Sequence, residues 1–89
     1  MYRTTLKEVF SKIDCRFKAA VKKGVGYVSI FCTNADEERR MEAAENAVRE
    51  AGATVTSVEI VLCGFHKSTV HVRFSGLNCA DDFIPPSRV

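Results

Sequence analysis

Ala53-Thr54-Val55-Thr56-Ser57-Val58-Glu59-Ile60-Val61-Leu62-Cys63-Gly64-Phe65-His66-Lys67-Ser68-Thr69-Val70-His71-Val72-Arg73-Phe74 is the stretch that decides the fold. β-Branched and aromatic residues dominate it, and apolar and polar side chains alternate along its second half, as strands require. It reads as a long strand over 53–65 and a second over 68–74, joined by the loop Gly64-Phe65-His66-Lys67. Alternation suggests a register. With Val58 opposite Phe74, Ile60 meets Val72 and Leu62 meets Val70, giving one continuous apolar face. The same register sets Glu59 against Arg73 and Val61 against His71 on the other face.

Upstream, Gly26-Tyr27-Val28-Ser29-Ile30-Phe31-Cys32-Thr33 is another strand, with Val28, Ile30 and Cys32 on one side and Tyr27, Ser29 and Phe31 on the other. Asn34 then caps a helix whose first turn is acidic and whose stripe is Met41, Ala44, Val48 and Ala51. Asp36–Arg40 and Glu45–Arg49 stand at the i,i+4 spacing that favours ion pairs. Gly52 ends this helix.

At the N-terminus, Leu6, Phe10, Ile13, Phe17, Ala20 and Val21 recur at steps of three and four, which predicts a helix from about residue 5 to Lys23. Thr5 and Glu8 form the S/T-x-x-E capping pattern, and Gly24 supplies a stop. Beyond Gly76 there is no periodicity, so residues 77–89 are expected to be an extended or partly disordered tail to a domain spanning 1–76. The expected architecture is α+β in the order helix-strand-helix-strand-strand. A three-stranded antiparallel sheet would carry two helices on one face, partly like a ferredoxin fold.

The chain has 89 residues, enough for one domain and one modest core. Its net charge of +2 conceals a polarity. The N-terminal quarter is basic and the Asn34 helix is acidic, so local fields exceed the mean. No run approaches a membrane span and no signal-peptide core precedes residue 5, so a cytoplasmic protein without membrane contact is expected. The spacing of Cys15, Cys32, Cys63 and Cys79 matches no paired zinc-ligand motif, and free thiols are expected, with no metal and no cofactor.

Candidate chemistry is sparse. Gly24-Val25-Gly26 precedes a strand instead of opening a helix, which is the wrong side for a phosphate loop. Cys63 and His66 flank a turn and could form a thiol dyad, but nothing supplies an orienting group or oxyanion donors, so an enzyme is not expected. A binding module acting through protein contact is the favoured reading. Its partner-binding set is Tyr27, Phe31, Val61, His71 and Arg73 on the open sheet face, with Glu38, Glu42 and Glu45 of the acidic helix as a second surface. Self-association of that open face to form a homodimer belongs to the same reading. Size and charge suit an inhibitor or adaptor, such as a phage- or mobile-element-encoded inhibitor of a nucleic-acid-handling complex. Arg3, Lys7, Lys12, Arg16, Lys18, Lys22 and Lys23 surround the apolar stripe of the N-terminal helix. The alternative is nucleic-acid binding through Arg16, Lys18, Lys22 and Lys23 among them, or through the aromatics of the open sheet. The ending Ser87-Arg88-Val89 resembles a peptide captured by its free carboxylate.

Overall fold

The structure is a computed structural model and describes residues 4–86, so Arg3 and the Ser87-Arg88-Val89 ending lie outside it. Its elements are α1 (Leu6–Val9), β1 (Phe17–Lys22), β2 (Val25–Thr33), a 3-10 turn (Asn34–Asp36), α2 (Glu37–Glu50), β3 (Thr54–Gly64), β4 (Lys67–Ser75) and β5 (Asp82–Ile84). The strands form one antiparallel sheet in the order β3-β4-β2-β1-β5. The three-stranded, helix-strand-helix architecture expected from the sequence is therefore wrong. The fold is mostly sheet, with five strands and two helices.

The error begins at the N-terminus. The Thr5 cap does form, its hydroxyl accepting from the Glu8 amide at 3.2 Å. The helix it starts lasts a single turn. Residues 17–22 then run as a strand, because Phe17, Ala19 and Val21 also fit a period of two and pair with Ile30, Val28 and Gly26. Lys23 and Gly24 both take positive φ, 53° and 80°, and close a two-residue hairpin turn. A lysine-glycine pair that resembles a helix stop is thus the reversal between β1 and β2.

Residues 77–84 run along the domain. Leu77, Cys79 and Ile84 are buried, and β5 pairs with β1 through Ala19–Ile84 and Ala20–Phe83.

The β3–β4 hairpin has a register two residues away from the expected one. Val58 pairs with Val72, Ile60 with Val70, Leu62 with Ser68, Glu59 with His71 and Val61 with Thr69. The loop is only Phe65-His66, and irregularities at Val55/Ser57 and Leu62/Gly64 shift the pairing. A displacement of two leaves every side chain on its expected face.

One face of the sheet buries Ala19, Val21, Val28, Ile30, Val70, Val72 and Phe74 under Leu6 and Phe10 at one end and Ala44 and Val48 of α2 at the other. The continuous apolar face does not stay covered across β3, where Val58, Ile60 and Leu62 are exposed. The stripe of α2 packs near the start of β3, where Val55 is partly buried, and leaves these three residues uncovered. Asp36, not Asn34, is the residue before α2. The expected Asp36–Arg40 pair is replaced by Asp36–Arg39 at 2.9 Å and Asp14–Arg40 at 2.5 Å, while Glu45–Arg49 forms at 3.2 Å. Among the described residues no helix is long and apolar enough to cross a membrane.

Candidate nucleic-acid interface

The sheet face turned away from the helices is where the chemistry gathers. Register and alternation define three rows across it. Phe83, Ala20, Tyr27, Arg73 and Ser57 form the first, running from β5 to β3. Lys18, Ser29, His71 and Glu59 form the second. Phe31, Thr69 and Val61 form the third. Lys22 and Lys67 lie at strand ends on the same face by alternation.

The structure thus brings together Tyr27, Phe31, Val61, His71 and Arg73, the open-face set read from the sequence. It also changes their company. Lys18 and Lys22 are not on a helix but on β1, beside the aromatics. Arg16 precedes β1 and holds its guanidinium 5.2 Å from the centre of the Phe31 ring. Lys23 is in the hairpin turn, its amide donating to Asp81 at 2.8 Å. Phe83, absent from the sequence reading, is exposed at the far end of the first row. Its strand has three residues, too few to show a period. Glu38 and Glu42 are exposed on α2, on the other side of the molecule, and Glu45 is half-buried against Arg49.

His71 is the best-fixed side chain on the face. Its ring stacks on Tyr27 with centroids 5.1 Å apart, and its Nδ1 lies 2.5 Å from Ser29 Oγ. Ser29 is buried. A serine-histidine contact suggests half of a hydrolase pair, but a covered hydroxyl on a central strand meets no substrate carbonyl. The strand's amides are already committed to β1 and β4 on either side. The contact instead orients the imidazole.

Burial and the neighbouring Arg73 hold the His71 imidazole below its ordinary range, with Lys18 acting in the same sense and Glu59 against it. The unfolded chain therefore binds a proton first as pH falls through about 6.5, and stability declines there until His71 itself protonates. The thermal midpoint of the parent should fall more steeply than that of His71→Gln between about pH 7.5 and about pH 5.5. Equal slopes in the two proteins would show that His71 is not desolvated on this face.

The thiols do not assemble a reactive centre. Cys63 is exposed and accepts from Thr69 Oγ1 at 3.4 Å, whereas the His66 ring lies against Phe65 with centroids 3.9 Å apart. Burial pushes the Cys15 and Cys32 thiols up, away from thiolate character. Among the described residues no cluster of histidine, cysteine and carboxylate could hold a metal ion.

Charge pairing divides the molecule. Every ion pair between described residues has a member at α2: Lys12–Glu50, Arg39–Asp36, Arg40–Asp14 and Arg49–Glu45. The open face carries Arg16, Lys18, Lys22, Lys67 and Arg73 with the single carboxylate of Glu59, and these cations form no such pair. No protein-family model, curated protein or solved structure matches this chain.

Proposed function

We propose that the chain binds single-stranded nucleic acid across the open face of its sheet. The observation that carries this is the division of charge. On the helix side Lys12, Arg39, Arg40 and Arg49 each meet a carboxylate, while among the described residues the cations beside the open-face aromatics form no ion pair. A positively charged surface tracks a phosphate backbone, and aromatic rings accept unpaired bases by stacking. Tyr27 and Phe31 stand four residues apart on β2, about 13 Å along the strand. Phe83 lies two strands from Tyr27 in the same row, about 10 Å away. These spacings suit bases splayed from an extended strand.

The alternatives that the sequence suggested fare less well on this face. Two copies packed face to face would press one basic surface against another, with Glu59 as the only compensating acid. A protein partner would have to be acidic and apolar at once. The acidic surface of α2, with Glu38 and Glu42, lies opposite and would repel a phosphate backbone, which leaves one side of the molecule to engage it. The free thiols Cys15, Cys32 and Cys63 suit a reducing, cytoplasmic setting.

Fluorescence anisotropy with labelled oligo(U) and oligo(dT) of about 12 nucleotides tests the reading. If roughly four phosphates are neutralised, affinity should drop on the order of 50-fold between about 50 mM and about 200 mM salt. Lys18→Glu with Arg73→Glu should weaken binding at least about tenfold, and Phe31→Ala should weaken it through lost stacking. No binding at low salt, or binding indifferent to the charge reversal, would defeat the proposal.

A further inference from the structure

The two edges of the sheet are built differently. On one side β5 is three residues long, carries Asp82 and is followed by Pro85 and Pro86. Short length, charge and proline are the means by which edges avoid pairing with other chains. On the other side β3 runs for eleven residues, Thr54–Gly64, and is hydrogen-bonded to β4 alone. It has no lysine, arginine or proline, Glu59 is its only charge, and its two irregularities flank the 57–62 stretch that pairs regularly with β4. Its exposed side chains include Val58, Ile60 and Leu62 on the helix side and Val61 on the open side. Leu62 is 70% exposed.

We infer that β3 is the seam of a homodimer, in which two copies pair antiparallel along this edge. The strand is complementary to itself. With a two-fold axis at Ile60, the two Ile60 side chains face each other and Val58 faces Leu62 of the second copy. Glu59 then faces Val61 of the second copy, so no like charges are opposed. A partner strand must offer alternating apolar residues and no acid opposite Glu59, and β3 itself meets both conditions.

Antiparallel pairing about an axis normal to the sheet keeps equivalent faces on the same side. The product is a continuous ten-stranded sheet with both helical layers below it and both open faces above. The edge association does not depend on the nucleic-acid reading. If both hold, the dimer presents one basic surface of twice the length, and the occluded oligonucleotide lengthens with it.

Light scattering across about 1 to about 500 μM protein, without nucleic acid, reads the association directly. The mass should climb from the 9.9 kDa of one chain towards twice that value. Leu62→Lys, which puts a cation on an already exposed position, should raise the midpoint concentration at least about tenfold. Lys18→Glu with Arg73→Glu should leave it unchanged, because those residues lie off the seam. Hydrogen exchange on the unaltered protein gives a second readout that needs no variant. Protection that grows with concentration should be confined to amides of Thr54–Gly64. A monomer at every concentration overturns the inference. So does a dimer that ignores Leu62→Lys, or one whose protected amides lie on β2 and β1 instead. Loss of oligonucleotide binding with the dimer intact would refute the nucleic-acid reading alone.

Discussion

Gly26→Val should leave the chain without a cooperative folding transition, and Gly26→Ala should come close to doing so. Gly26 lies in β2 opposite Val21 of β1 and Phe74 of β4. A Cβ placed there would stand 1.9 Å from the carbonyl oxygen of Ala20 and 2.9 Å from the Val21 Cα. Both are backbone atoms of β1, which is itself hydrogen-bonded to β2 and β5 and cannot step aside without breaking a ladder. The backbone φ at Gly26 is not positive, so the cost is the collision alone. Overpacking against backbone costs about 3 kcal/mol or more. A domain of this length has only about 4–13 kcal/mol of stability in total. Far-UV circular dichroism during a thermal melt reads the outcome. If Gly26→Ala melted within a few degrees of the parent, the close approach of β1 to β2 would be incorrect, and with it the placement of Lys18 and Lys22 on the open face.

That dependence shows how far the sequence could be read. The strand over 26–33, the helix following Asn34 and the hairpin were legible because each carries a period and a boundary within one short window. The N-terminal segment was not, since Leu6, Phe10, Ile13, Phe17 and Val21 satisfy a helical spacing while Phe17, Ala19 and Val21 also satisfy a strand. Only pairing with β2 decides between them, and pairing is not local. Tyr27, Phe31, Val61, His71 and Arg73 share one face as expected despite a wrong register, because an error of two preserves facing. Their cationic neighbours were missed for the opposite reason. Lys18 and Lys22 were read on a helix surface, and once β1 is a strand they join the aromatics. The exposed apolar edge of β3 was also hidden. Sequence alternation shows that Val58, Ile60 and Leu62 share a face but not that α2 stops short of them.

Phe10→Ala should cost about 3–5 kcal/mol and lower the thermal midpoint by roughly 15–30 °C. The side chain is 1% exposed and meets two other rings, Phe17 at 6.2 Å with an edge-on tilt of 61° and Phe74 at 6.1 Å. These rings join three parts of the chain. Phe10 closes the single turn of α1, its amide donating to the Leu6 carbonyl at 3.2 Å, while Phe17 starts β1 and Phe74 is the last residue but one of β4. A helix of four residues has no stability of its own. What keeps this segment over the sheet is the burial of Leu6 and Phe10, so truncating Phe10 removes cover as well as area. Phe65→Ala is the matched control. Phe65 is 86% exposed in the β3–β4 turn, and its loss should change stability by less than about 0.5 kcal/mol. A large effect at Phe10 and none at Phe65 would place the core between α1 and the sheet, leaving the opposite face free for a ligand. A small effect at Phe10 would mean that the N-terminal segment does not cover β1, and the helix-side face at that end would then be the exposed apolar surface to explain.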